Sequence, residues 1–240
     1  MTGPPYIEQS AAYNTLDIGR KNFTAVVTDP SLLPIVQAPM AAFRCASDVG
    51  PPRNNFYLVH ALYETATSNY LASNGSWAFR APLGDPGAVS STNNGMFRQN
   101  VATRFRDLTD GTSNTIALGE RAWKARSVDY SAGLVWGMYG SVVLRTTYTP
   151  PEAGGYVSIM TTAFGDMNPP RNVYGNSTDY YRRGLSSNHS GGAHVVLADG
   201  AVRFLSENMD QNGWSGGTGL VDSTLDRLFG MNDGQVLGEF

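Results

Sequence analysis

The stretch from residue 186 to residue 210, SSNHSGGAHVVLADGAVRFLSENMD, decides the fold because two apolar runs flank an Asp-Gly pair. Such a pair predicts a β-hairpin with a type I′ turn at Asp199 and Gly200, since that turn needs positive φ at both positions. With this turn, alternate side chains lie on opposite faces of the hairpin. The buried face is predicted to hold Val195, Leu197, Val202 and Phe204. The other face is predicted to hold His194, Val196, Arg203 and Leu205.

Composition bounds the class of protein. The chain has 240 residues, of which 41% are hydrophobic and 15% charged, as in a globular protein that is not disordered. No composition shift divides it, so we expect one domain over residues 1–240. The net charge of -3 and the pI of about 5.6 argue against nucleic acid as a partner. No apolar run approaches 18 residues and the N-terminus does not look like a signal peptide, so we expect no membrane span.

Other segments extend the fold prediction. NTIALGE (residues 114–120) is a plausible buried strand, and VDSTLDRLFG (221–230) is a helix capped by Asp222 or Ser223 and ended by Gly230. NDGQVLGEF (232–240) predicts a turn and a last strand. Residues 149–187 lack periodicity, which predicts a long, loop-rich excursion across the surface. The predicted fold class is α+β, an antiparallel β-sheet with a few short helices.

Several blocks of the sequence resemble a known family. His189 followed by nine residues and then Asp199-Gly200 gives H-x(9)-D-G, the C-terminal signature of the bacterial proteins described as prepilin-type processing-associated. Four further blocks are similar to blocks of that family and follow its order. They are PPYIEQSAAYNTLD, FRCASD, ATSNYLASNG and RFRDLTDGTSNTIALGE. Ala46 stands where the family usually has proline.

The resemblance implies a pseudopilin-like globular domain on the outer side of the cytoplasmic membrane, at the cell surface or in the periplasm. The family's N-terminal cleavage site and long apolar helix do not appear in this sequence, so filament assembly and membrane insertion are not expected of this chain as written. The implied partners are other pilin-like subunits, or a surface protein or glycan.

The two histidines and the aspartate of the opening stretch form the first candidate site. Two imidazoles and a carboxylate can bind a metal. In the predicted hairpin, however, Asp199 lies at the turn, roughly 16 Å along an extended strand from His194. We therefore favour a structural interpretation in which Asp199 and Gly200 form the turn and His189 hydrogen-bonds to the backbone of its loop.

Calcium is the one candidate cofactor. DQNG (residues 210–213) resembles the start of an oxygen-rich calcium loop, and the proposed ligands are Asp210, Asn212 and Asp222. Pseudopilin-like domains can carry calcium in a C-terminal loop, which the resemblance implies here. The closing acid of an EF-hand is missing, because Val221 holds the twelfth position. The alternative is a plain Asn/Gly turn.

Two nucleophiles are weaker candidates. GWSGG (residues 213–217) fits G-x-S-x-G, but loop-like sequence surrounds Ser215, and no histidine follows it, although His189 could still meet it in space. Cys45 is the only cysteine, which excludes an intramolecular disulfide and argues against thiolate metal sites. We interpret Cys45 as a buried small hydrophobe.

Aromatic residues crowd the middle of the chain and include Trp136, Tyr139, Tyr180 and Tyr181. Tyr and Trp are favoured where an apolar ring is buried while its polar group stays in contact with water. These four residues could therefore form a binding surface, or they could belong to the hydrophobic core. Our leading hypothesis is a non-catalytic structural or interaction head of a prepilin-like surface protein. The alternatives are a glycan- or protein-binding module that uses these aromatics, and a serine hydrolase at Ser215 and His189.

Overall fold

The computed structural model describes most of the chain. The residues described are 7–60, 62–76, 94–98, 101–138, 153–170, 181–212, 221–235, 237–238 and 240. Within these residues, the four α-helices are α1 (Ser10–Leu16), α2 (Phe23–Val27), α3 (Leu33–Gln37) and α4 (Thr224–Phe229). The ten strands are β1 (Arg53–Val59), β2 (Tyr63–Ser68), β3 (Tyr70–Gly75), β4 (Ile116–Glu120), β5 (Lys124–Ala125), β6 (Val128–Asp129), β7 (Gly133–Leu134), β8 (Met160–Thr162), β9 (Gly192–Leu197) and β10 (Val202–Ser206). Four short 3₁₀ helices cover Ala41–Phe43, Phe105–Asp107, Thr112–Asn114 and Ala153–Ser158.

The strands form three sheets. The main sheet has the order β10-β9-β4-β3-β8, and every pair in it is antiparallel except β3 with β8. A second sheet has the order β1-β2-β7, and β5 pairs with β6. Mixed helices and mainly antiparallel strands confirm the predicted α+β class.

The two largest apolar cores lie against these sheets. The first joins the inner face of β9 and β4 to α4, where Leu225, Leu228 and Phe229 are buried. The second joins α1, α2 and α3 to the β1-β2-β7 sheet around the buried Trp136. Burial of each large apolar side chain stabilises the fold by roughly 1.5–3 kcal/mol, so these short helices depend on tertiary packing.

The hairpin of β9 and β10 forms, but its register differs by one residue from the prediction. Val202 lies opposite Val196, and Phe204 lies opposite His194. The N–H of Gly200 donates to Leu197 O, and Gly200 alone of the turn pair has a positive φ, of 88°. The connection is therefore a three-residue loop with a left-handed glycine, one of the common alternatives to a type I′ turn.

The shift moves side chains to the other face, because side chains alternate along a strand. Val195 and Leu197 are buried as predicted, and Leu205 joins them in the first core. The prediction was wrong for Val202 and Phe204, which are 65% and 46% exposed. Both now lie on the outward face with His194.

Local predictions vary in outcome. NTIALGE forms β4, and VDSTLDRLFG forms α4 with Ser223 as N-cap and Gly230 as C-cap. Several elements were not predicted, among them β1, and α3, where Pro34 lies in the first turn, a position proline tolerates. The expected last strand is absent from the described residues of 232–240.

The surface excursion predicted for residues 149–187 is wrong for its described parts. Residues 181–187 are all buried, and most of 155–169 are too. β8 lies in this segment and extends the main sheet beside β3. The hydrophobic periodicity of this segment is weak because the segment is mostly irregular backbone held by buried hydrogen bonds. It is not an amphipathic helix or strand with one apolar face.

Candidate functional site

Glu120, at the end of β4, is the centre of a cluster that contains both histidines of the opening stretch. Its side chain is 2% exposed, and Oε1 lies 3.2 Å from Nε2 of His189. The other oxygen, Oε2, accepts a 3.0 Å hydrogen bond from the backbone N–H of His194 and lies 3.7 Å from that residue's Nδ1. The two imidazoles meet edge to face, with ring centres 4.7 Å apart. A buried carboxylate thus links both histidines.

The thiol of Cys45 completes this cluster. Its Sγ lies 3.4 Å from Nε2 of His189 and 3.1 Å from Oγ of Ser47. Cys45 is buried, as predicted, but it contacts polar groups instead of only apolar neighbours. The ligand atoms of Cys45, Glu120 and His189 all lie within 4.8 Å of one another, the one group of three potential metal ligands among the described residues. Our exclusion of thiolate ligation considered only sites built from several thiols, whereas one thiol can also share a mixed ligand set.

Hydrogen bonds around Asn69, between β2 and β3, hold the Cys45 loop against the end of β4. Asn69 Oδ1 accepts from the N–H of Cys45, and its Nδ2 donates to Asp48 Oδ2 and to the carbonyl of Arg121. Asp48 Oδ1 in turn accepts a 2.7 Å bond from the N–H of Trp123. Segments far apart in the chain are thus held together at the Asn69 side chain. Each buried polar group that takes part in these hydrogen bonds has a partner.

The electrostatics of the cluster disfavour nucleophilic catalysis by Cys45. Burial, and then the neighbouring Glu120 carboxylate, raise the pKa of the Cys45 thiol, whereas reactive cysteines have lowered pKa values. Moreover, the thiol and the carboxylate both approach the same nitrogen of His189. A triad instead needs the acid and the nucleophile on opposite nitrogens of the ring. The arrangement suits ligation of a shared ion.

Asp199 and Gly200 take no part in this cluster. Asp199 Oδ1 accepts a 2.8 Å hydrogen bond from the N–H of Ala201 at the exposed hairpin tip. That backbone bond, and then a side-chain bond from Ser113, lower the pKa of Asp199. Asp199 thus has the turn role that we favoured, whereas the His189 side chain contacts Glu120 and Cys45 in addition to the loop bond of its backbone N–H to Ser187.

Arg121 follows Glu120 but points to the opposite side, as successive strand residues do. Its guanidinium donates to the carbonyls of Val157, Met160, Arg183 and Gly184. Complete burial lowers the pKa of Arg121 to about 10. The pleat separates the Arg121 guanidinium from the Glu120 carboxylate.

The three proposed calcium ligands lie near the start of α4. Asp210 Oδ2 accepts from the N–H and the hydroxyl of Thr224, and Asn212 Nδ2 donates to Asp222 at 3.3 Å. These bonds orient the turn before α4. Calcium binding at this turn stays a prediction.

The proposed aromatic surface and the serine site are only partly within the described residues. Trp136 is 2% and Tyr181 is 4% exposed, so both side chains lie in the interior. Tyr139, Tyr180 and Ser215 lie outside the described residues. Binding through the aromatics and hydrolysis at Ser215 stay predictions that depend on those three.

Sequence reasoning missed Glu120 and Cys45 as partners of the histidines. The cysteine and His189 are 144 residues apart, so no local pattern joins them. One available signal was that Cys45 and Glu120 both lie in blocks quoted for the resemblance, FRCASD and RFRDLTDGTSNTIALGE.

The fold and the site define a class: an α+β domain in which a Cys/His/Glu cluster joins three distant segments. The chain belongs to a family described as a protein of unknown function (DUF1559), whose model matches residues 4–212. No curated protein and no solved structure matches it. None of the described helices has the length and apolar content to cross a bilayer.

Proposed function

We propose that this chain is a non-catalytic head domain of a prepilin-like protein outside the cytoplasmic membrane, and that it contacts other pilin-like subunits through β10. The observation that carries the proposal is the exposed apolar face of an edge strand. Val202 and Phe204 project outward from β10, the last strand of the main sheet on that side. The blocks resembling the prepilin-type family support the location.

An exposed edge strand is a natural place for association. Its outer N–H and C=O groups can pair with a strand of another chain, and natural sheets usually guard such edges with charge or proline. β10 has the sequence VRFLS, with Arg203 as its one charged residue and no proline. Pairing there would also bury Val202 and Phe204, two adjacent members of the outward face. We therefore propose a second subunit of the same kind as the occupant.

Sedimentation velocity over a range of concentrations tests this proposal. We expect the wild-type chain to self-associate, and Val202→Ser with Phe204→Ser to weaken association by about tenfold, which corresponds to 1.4 kcal/mol. Leu62→Ser is the matched control, since Leu62 is an exposed apolar residue, 73% accessible, away from this strand. A monomer at every concentration, or an equal effect of the control, would refute association through β10.

Location is tested separately in the organism that makes the protein. We expect a protease added to intact cells, or to cells with a permeabilised outer envelope, to digest the chain while a cytoplasmic marker survives. Protection of the chain until the cytoplasmic membrane is broken would contradict the proposed location.

A further inference from the structure

Two of the separations among the ligand atoms of Cys45, Glu120 and His189 match those of a tetrahedral metal site, and all three atoms lie within 4.8 Å of one another. Bond lengths of about 2.3 Å for sulfur and about 2.0 Å for nitrogen and oxygen place N and O about 3.3 Å apart, and S and N about 3.5 Å apart, around one zinc ion. The observed separations are 3.2 Å for His189 Nε2 to Glu120 Oε1, and 3.4 Å for Cys45 Sγ to His189 Nε2.

We propose that Cys45, Glu120 and His189 bind one divalent transition-metal ion of the zinc class. The donor set selects the metal, because thiolate and imidazole suit zinc while calcium and magnesium take oxygen ligands. This site is distinct from the oxygen-rich turn at Asp210. The His189 side chain is 31% exposed, so solvent can reach this ligand. A water molecule would complete the tetrahedron.

Surrounding hydrogen bonds hold each ligand in place before an ion arrives. The N–H of His194 binds Glu120 Oε2, which leaves Oε1 directed at His189. Ser187 Oγ accepts from the N–H of His189, and Asn69 accepts from the N–H of Cys45. Such outer partners orient ligands and raise metal affinity. The site is therefore largely preorganised by the folded chain.

Charge favours the same ion. Ligation turns the Cys45 thiol into a thiolate beside the buried Glu120 carboxylate, and two negative charges in a low-dielectric interior need a compensating cation. A divalent cation neutralises both. The proton of the thiol leaves to solvent as the metal–sulfur bond forms, so the ligation step is balanced.

Bound metal would join the Cys45 loop, the end of β4 and the loop before β9. These segments come from the first, middle and last thirds of the chain, and any ligand that binds only the folded state stabilises it by mass action. The inference is independent of association through β10, because it concerns the interior of one chain.

The direct experiment uses the whole chain without a histidine tag. After exchange against Zn²⁺ and removal of excess, elemental analysis is expected to find one zinc per chain, and a zinc indicator gives the affinity by competition. Cys45→Ser and His189→Gln are expected to lower the affinity by more than about 100-fold. His60→Gln is the matched control, a histidine outside the cluster, and is expected to retain wild-type affinity.

Cobalt supplies a readout that reports ligation itself. The wild-type protein with Co²⁺ is expected to show a sulfur-to-metal charge-transfer band that Cys45→Ser lacks. Circular dichroism checks that each variant is folded. If the Cys45→Ser or His189→Gln variant does not fold, Glu120→Gln replaces it as the variant that lacks one ligand. Absence of stoichiometric zinc in the folded wild-type protein overturns the proposal. So does wild-type affinity in the folded Cys45→Ser and His189→Gln variants.

Discussion

Glu120 accepts a 3.0 Å hydrogen bond from the backbone N–H of His194, 74 residues further along the chain. The carboxylate thereby uses one oxygen to fix β9 beside β4 and turns the other toward His189. A side chain 2% exposed cannot replace these bonds with water. The same carboxylate therefore supports both the pairing of β4 with β9 and the geometry of the Cys/His/Glu cluster.

Replacing Glu120 should separate its structural role from metal binding. In the presence of a chelator we expect Glu120→Ala to lower the free energy of unfolding by roughly 1–3 kcal/mol, because the His194 N–H loses a buried acceptor. Glu120→Gln should cost less, since its amide oxygen can still accept that bond. Urea denaturation measures both. Glu64→Ala, at an exposed ion pair with Arg53, is the control and should change stability by less than about 1 kcal/mol. Equal losses for Ala and Gln would contradict the role of Oε2.

Arg121 should be among the most sensitive positions of the fold. Arg121→Met leaves several buried carbonyls without a donor, and each costs about 1–3 kcal/mol, so we expect a loss of at least about 2 kcal/mol in chemical denaturation. Arg121→Lys should recover only part, because an ammonium lacks the planar fork that spans these carbonyls. Arg126→Met, at a partly exposed ion pair with Glu207, should cost less than about 1 kcal/mol. Similar effects at both arginines would show that the buried contacts are not the cause.

The register of the hairpin can be tested with paired cysteines. Val196 lies opposite Val202, so Val196→Cys with Val202→Cys should form a disulfide on mild oxidation. Val196→Cys with Arg203→Cys, the pair expected for a two-residue type I′ turn, should stay reduced because the two side chains leave opposite faces. Thiol titration and mass measurement distinguish them, with the native Cys45 present in both. Preferential oxidation of the second pair would restore the type I′ register.

Asp226 should make stability depend on pH. Burial raises its pKa to about 7 from 3.8, so the folded chain keeps a proton that the unfolded chain releases. The resulting stability is complete below about pH 4 and is lost as pH rises toward 7, on the order of 3–4 kcal/mol. Asp226→Asn keeps an oxygen that can accept the Ser223 bonds but cannot ionise.

The difference in unfolding free energy between wild type and Asp226→Asn should therefore change steadily between pH 4 and pH 7.5, in favour of the variant at higher pH. Denaturation at four pH values measures it. A difference that is constant over this range would show that Asp226 does not titrate there.

Much of the local structure was predictable because its signals lie within a few residues. The N-cap of α4 is such a case: Ser223 and Asp226 bond reciprocally, and Gly230 follows the last turn. The strand at NTIALGE and the presence of a hairpin also follow from apolar pattern and turn residues. The turn type did not follow, because an Asp-Gly pair is compatible with more than one loop length.

The amino-acid sequence by itself determined the α+β class, the hairpin around Asp199-Gly200 and the capped last helix, since each depends on neighbouring residues. Only the tertiary structure decided the register, because Thr115 O and Thr112 O accept the N–H groups of Ala198 and Asp199 and hold both in the loop. The tertiary structure also decided which residues form the Cys/His/Glu cluster. Cys45, Glu120 and His189 meet because separate strands and loops pack together, and no spacing along the chain encodes that distance.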